Sequence, residues 1–264
     1  MGSMASLAKR AVNLPGILTG VGLLAVWQIL VSTHSLNFKF LESPWGIITN
    51  LGNLFTGTGL WGNLGYTLGT TLAGWAIASV AGFVVGSLIG LADGVWKWTA
   101  ASLEALRSVP VIAMLPIGVV IFGLTSKMEL VLVIYVAFWP VLINTIAGVR
   151  AVHPLLREVS KSLHLTRSQE LRRVILPAAM PQALVGVRLS ISLSLVLAVV
   201  AEIAANPAGL GFQLDSESQA LQPALMFGVL FVLGVLGIAL NAGLTFAVRF
   251  ISPGIAQHAR VGRS

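Results

Sequence analysis

Few residues in this 264-residue chain could do chemistry. Its four histidines, His34, His153, His164 and His258, are dispersed, and none stands at metal-ligand spacing from another. With no cysteine, disulfides and thiolate metal sites are excluded. No G-x-x-x-x-G-K-[ST] run occurs and no lysine follows a glycine, so the chain cannot build a nucleotide-holding P-loop. Two charges interrupt long apolar runs, Arg188 and Glu202. Intramembrane charges are costly and usually face a bundle interior. These two are about 21 Å apart along a helix, too far to pair. Arg188 reads as structural, tied to carbonyls or snorkelled. Glu202 reads either as a gate or subunit contact, or as a satisfied structural carboxylate. No catalytic constellation and no metal site emerges, and the chain reads as a non-enzyme.

The densest cluster of charge is REVSKSLHLTRSQELRRVILP, Arg157 to Pro177. Residues 154–176 are too charged to cross a bilayer. Leu155, Leu156, Val159 and Leu163 recur at helical spacing, which predicts a short amphipathic helix. Thr166-Arg167-Ser168-Gln169 fits a capping box opening a second short helix, which Pro177 should end. A sharp turn near His164 would join the two. Three readings stay open on the residues alone: a basic element on the membrane surface, a plain loop, or a ridge that fits a partner's groove.

The elements that must position this segment are apolar. Hydrophobic residues make up 56% of the chain and charged residues 9%, against about 25% charged in a soluble domain. The net charge is +7, but no basic stripe is interleaved with exposed aromatics, so the partner is a lipid bilayer rather than nucleic acid. Crossing a bilayer takes about 20 apolar residues. Six segments qualify: Leu14–Val31, Thr67–Leu91, Ser108–Gly123, Leu130–Val149, Pro181–Ala201 and Pro223–Phe250. With the N-terminus inside, the cytoplasmic parts hold Lys9, Arg10, Lys97, Arg107, Arg150, Arg157, Lys161, Arg167, Arg172, Arg173, Arg249, Arg260 and Arg263. The external loops hold only Lys39 and Lys127, and this asymmetry sets the orientation. Residues 1–13 and 251–264 are then cytoplasmic tails, and 14–250 the membrane domain. Met1–Ser3 reads as a cloning scar ahead of Met4, although Gly2 and Ser6 fit a myristoylation pattern.

Smaller features fill in the bundle. Pro44–Phe55 carries Trp45, Ile48, Leu51 and Phe55 on one helical face, consistent with a surface helix or an interfacial loop. Gly82, Gly86 and Gly90 form a ladder that lets a neighbouring helix come close, for packing inside the bundle or for a role in the substrate path. Pro110 and Pro116 break the third segment, and a broken helix either packs as a kink or opens backbone to a translocation path. Asn144 and Asn241 offer neutral hydrogen bonds within the membrane, as interhelical contacts or in that path.

The opening cluster also carries a resemblance. Glu158-Val159-Ser160, Leu163-His164 and Val174-Ile175-Leu176-Pro177 resemble the EAA motif of ABC importer permeases. The flanks NTIAGVRAVHP and PAAMPQALVGVRLSISLSLVLAVVAE, with LRSVPVIAMLPIGVVIFG upstream and AGLGF downstream, resemble the same group. The match covers about residues 41–250 and is nearest to the sulfonate/taurine/nitrate-type permeases, the binding-protein-dependent transport inner-membrane components. The chain departs from the pattern at His164, where the motif has glycine, and at Val159 and Ser160, where it has alanines. Thr70 replaces a common basic residue and Asn241 a common acidic one.

The resemblance implies an all-α membrane protein with six transmembrane helices, of the type I ABC importer permease kind. Residues 154–176 would be its cytoplasmic coupling element. Glu158, Val159, Ser160, Leu163, His164, Leu165, Thr166 and Pro177 would dock on a dimer of ATPase subunits. It implies no cofactor in this chain, with ATP and Mg on the partner ATPase. A second permease copy or close paralogue would complete the pore, and an external substrate-binding protein would deliver a small solute. The alternative is a self-contained secondary transporter or channel, which would need paired buried acids. The sequence offers only Glu202, near a membrane edge.

Overall fold

The structure is a computed structural model that describes residues 14–33, 41–57 and 59–251. The expected N-terminal tail, Lys39 and residues 252–264 lie outside them. The described residues are helical and contain no strand. In chain order the helices are α1 (Leu14–Ser32), α2 (Pro44–Gly57), α3 (Leu60–Leu91), α4 (Asp93–Arg107), α5 (Leu115–Phe122), α6 (Ser126–Arg150), α7 (Pro154–Ser162), α8 (Arg167–Glu170), α9 (Leu176–Ala205), α10 (Leu210–Gln219) and α11 (Pro223–Ile251). A 3-10 turn, Val111–Met114, precedes α5, and a π-helical turn, Leu171–Ile175, joins α8 to α9.

Among the described residues, four helices are long and apolar enough to cross a membrane: Leu60–Leu91, Ser126–Arg150, Arg167–Ala205 and Pro223–Val248. A bent pair of helices is a fifth candidate. It consists of Asp93–Arg107 and Val111–Phe122, which meet at 76°. The first expected span forms α1, whose apolar stretch Leu18–Ser32 falls short of a full crossing by the same measure.

The core is a three-helix unit of α3, α6 and α9. Glycines set its spacing. A Cβ at Gly82 would stand 2.9 Å from Val141 Cβ, one at Gly86 2.8 Å from the Leu142 carbonyl, and one at Gly90 2.9 Å from Val149 Cβ. The ladder therefore runs down the α3–α6 seam, where only a hydrogen on Cα leaves room for the facing backbone. Gly186 of α9 packs in the same way on α6, with Asn144 Cβ at 2.8 Å. Asn144 bridges the same pair: its Nδ2 donates to the Pro140 carbonyl and its Oδ1 accepts from Gln182 Nε2 at 2.9 Å. A second core joins Leu54, Leu60, Leu195, Leu210, Val229, Leu233 and Leu236, which seats α2 and α11 on this unit. Helix α2 thus takes the helical reading of Pro44–Phe55, with Ile47 and Leu54 buried and Trp45, Ile48 and Phe55 exposed.

A further helix precedes the third expected segment, Ser108–Gly123. In this helix, α4, DGVWKWTAASLEALR forms an amphipathic face whose Trp96 and Leu103 pack on Trp139, Leu142 and Ile146 of α6. Arg150 Nη1 bonds Asp93 Oδ1 at 2.9 Å, and Tyr135 Oη donates to the Leu106 carbonyl at 2.9 Å. Helix α4 therefore runs beside the half of α6 that ends at Arg150, and Arg107 lies well along the bundle rather than at its end. The bend falls at Ser108–Pro110 alone. Pro116 does not break the helix but sits in the first turn of α5, where its missing N–H costs nothing.

Pro177 is a second correction. It does not end α8. The chain continues through the π turn into α9, with Pro177 at the start of that helix. The N–H of Leu176 reaches back five residues to the Leu171 carbonyl. That wider turn draws the i−4 carbonyl away from the proline ring, the contact that ordinarily breaks an α-helix at proline.

Candidate functional site

The charged segment projects from the ends of α6 and α9. His153 caps α7, its Nδ1 accepting from the Leu155 amide at 3.2 Å, and Pro154 opens the first turn. Leu163, His164 and Leu165 then turn the chain, their amides donating to the carbonyls of Val159, Lys161 and Ser160. His164 holds φ at 52°, the left-handed conformation where glycine is ordinarily placed. The capping box is complete: the Gln169 amide donates to Thr166 Oγ1 at 3.3 Å, and the Thr166 amide to Gln169 Oε1 at 2.9 Å.

One side of this unit is anchored. Val152 and Ile175 join Val149 of α6 and Ala179 of α9 in a small buried core, and Ser160 is buried with its hydroxyl donated to the Arg157 carbonyl. The other side is bare. Leu155, Leu156, Val159 and Leu163 are all exposed, Leu163 at 66%. Glu158 is exposed beside them, and Leu165 is half-buried. The segment therefore presents an apolar ridge on a preformed, capped scaffold.

A second constellation lies at the opposite end of the bundle. Glu202, near the end of α9, is fully buried. Thr67 Oγ1 donates to its carboxylate at 2.8 Å and the Gly211 amide at 2.8 Å. Thr67 in turn accepts from the Leu210 amide at 2.8 Å. Gly209 and Gly211 rest directly on the Glu202 side chain, where any Cβ would collide with it. Asn63 holds the same loop, accepting from the Gly209 amide and donating to Gln213 Oε1. The AGLGF stretch is thus moulded around one carboxylate.

Glu129 is a residue the sequence reading missed. It too is fully buried, in the first turn of α6. Asn206 Nδ2 donates to its Oε2 at 2.6 Å, and Tyr66 Oη at 3.3 Å, while Oε1 finds no hydrogen-bond partner. Thr70 stands beside this carboxylate. Among the described residues the ion pairs are Arg107–Glu104 and Arg150–Asp93, and neither involves Glu129 or Glu202. Glu202 is therefore not alone as a buried acid. Glu129 escaped because it stands one residue before the expected span at Leu130 and two after Lys127, where it reads as a loop charge.

Arg188 stays away from both constellations. Its guanidinium bonds Asn241 Oδ1 at 3.4 Å and the Thr245 hydroxyl, which ties α9 to α11. The contact is to neutral oxygens of side chains, not to backbone carbonyls. Pro110 stands at the elbow before α5 and Pro116 in the first turn of α5; the stretch between them packs through Val111, Met114 and Leu115 on Leu197, Ala201 and Ala205 of α9.

An all-α bundle of long apolar helices with a capped, charged segment between two of them has the make-up of a polytopic membrane protein. The chain belongs to the family of binding-protein-dependent transport system inner membrane components, whose profile matches residues 86–257. It is similar to the putative aliphatic sulfonates transport permease protein SsuC of Bacillus subtilis, at 30% identity over 87% of this chain and 83% of that one. The taurine transport system permease protein TauC of Escherichia coli is 29% identical over 88% of this chain and 86% of its own. The nitrate import permease protein NrtB of Synechocystis is 30% identical over the same shares. In fold, the chain is similar to a structure of the MetNI methionine ABC transporter in an inward-facing conformation. That match has a TM-score of 0.64 and 22% identity, and covers 73% of this chain and 95% of the other.

Proposed function

We propose that this chain is the permease subunit of an ATP-driven importer for a small anion of the sulfonate, taurine or nitrate kind. Its relatives' names supply the substrate class. Two copies, or one copy and a close paralogue, surround the path, and an external binding protein delivers the solute. Residues 154–176 couple the path to a dimer of ATPase subunits that carry ATP and Mg. Both termini and this segment face the cytoplasm, in keeping with the positive-inside bias of the remaining end residues.

The observation that carries the reading is the exposed ridge of Leu155, Leu156, Val159 and Leu163 on a segment whose other side is packed into α6 and α9. A groove on a cytoplasmic partner would bury it. Paired buried acids would favour a self-contained secondary transporter, and Glu129 with Glu202 supplies a pair. Each carboxylate, however, is bound to amides and hydroxyls that shape an end loop, and the family membership favours the importer.

The test is Leu163→Asp, which sets a charge in that contact without touching a spanning helix. Truncating an interface anchor typically costs about 2 kcal/mol or more. The variant should insert normally, lose copurification of the ATPase and lose substrate-stimulated ATP hydrolysis. ATPase association and transport at the unmutated level would sink the coupling assignment.

A further inference from the structure

We propose that Glu104 and Arg107, at the elbow between α4 and α5, form a charged station on the translocation path, where Arg107 receives a small oxyanion in place of the Glu104 carboxylate. This rests on the importer reading above and adds a site to it.

Depth comes first. Tyr135, which bonds the Leu106 carbonyl, lies nine residues, about 14 Å, from the Ser126 end of α6 and fifteen residues, about 22 Å, from Arg150. A hydrocarbon core of about 30 Å fitted to α6 leaves Leu106 near its middle. Arg107 and Glu104 flank Leu106 at that level, joined by an ion pair of 2.5 Å.

Exposure comes second. Every residue from Glu104 to Pro110 is exposed, with the Arg107 side chain at 46% and that of Glu104 at 68%. An ion pair at mid-bilayer is not left facing lipid tails. Third, the helix is broken at this level, with Pro110 extended at φ −65° and ψ 115° and the two halves bent by 76°. Irregular backbone at membrane depth is tolerated where protein buries it or where it lines water. An exposed ion pair and an exposed break at one level point to water.

The chemistry suits an oxyanion. A guanidinium presents a planar fork of donors that a carboxylate, sulfonate or nitrate can each fill. Glu104 occupies that fork at rest, so an arriving anion replaces one set of oxygens with another. The carboxylate then favours the anion's departure, since it competes for the same donors.

Because this chain lacks cysteine, a reporter thiol is the only one it carries, and the transporter without the reporter gives the background rate. Ser108→Cys, with Val109→Cys as a second reporter should the first fail to assemble, is placed in the full transporter. Each is treated with two methanethiosulfonates, the anionic sulfonatoethyl and the cationic trimethylammonioethyl reagent, with rates normalised to a free thiol. The proposal expects both to react and the anionic reagent to react at least threefold faster. That preference should vanish in Glu104→Gln/Arg107→Gln, which removes both charges together. No reaction at either thiol, in protein that reacts at an end-loop cysteine, would mean that the elbow is packed dry against a second copy, and would overturn the proposal. Reaction without anion preference, or a preference that survives the double change, would overturn it too. Failure of the importer reading shows elsewhere, as unchanged ATPase association in Leu163→Asp.

Discussion

The Gly211 amide donates to Oε2 of Glu202 at 2.8 Å, and the α-carbon of Gly211 lies against the same side chain. Three helices and the last loop meet at this carboxylate, because Thr67 of α3 bonds it from one side while accepting from Leu210 of α10.

Thr67→Val therefore removes one donor and one acceptor in a buried place. Leaving buried polar groups unsatisfied costs about 1–3 kcal/mol. Thermal unfolding in detergent should show that loss, and Thr67→Ser should restore most of it. The two acids should also separate. Both oxygens of Glu202 accept hydrogen bonds, so Glu202→Gln turns an amide NH2 toward a donor and destabilises. Glu129 has a free Oε1 that can become the amide nitrogen, so Glu129→Gln should cost less. Equal losses for the two glutamine variants would contradict the hydrogen-bond assignment.

His164 holds a left-handed conformation at φ 52°. A non-glycine residue there pays roughly 1 kcal/mol. His164→Gly should keep ATPase association and transport, and stabilise the turn by up to about that amount, less the entropy glycine adds to the unfolded chain. A large loss of transport from this change alone would assign the imidazole a specific task.

Orientation is tested with single thiols at Ser216 and Ser168, both exposed and at opposite ends of the bundle. In sealed cells a membrane-impermeant reagent should label the first from outside and leave the second untouched until the cells are opened. Labelling of both from outside would refute the proposed topology.

Much of the fold was legible because its signals are local. Apolar runs marked α3, α6, α9 and α11, and Thr166 with Gln169 marked the start of α8. Helix α4 was not read because Lys97 and Arg107 counted as cytoplasmic charges, although the helix packs Trp96 and Leu103 on α6. The continuation through Pro177 was illegible for a different reason: a π turn is a backbone adjustment with no residue pattern of its own. Glu129 was hidden because its partners, Tyr66 and Asn206, come from α3 and the loop after α9. Only tertiary structure could turn that carboxylate inward.

The π turn has a mechanical meaning. Since the chain does not stop at Pro177, Arg167 to Ala205 is one rod of 39 residues, about 58 Å long. The capped turn at Thr166 stands at one tip and Glu202 close to the other. The π turn at Leu171–Ile175 and Pro181 are the places along it where a helix can bend. Rocking it by about 5° about its Arg167 end swings the Ala205 end by about 5 Å, near the pitch of one helical turn. Under the proposed coupling, a tilt of a few degrees at the charged segment would reach the AGLGF loop along this one helix.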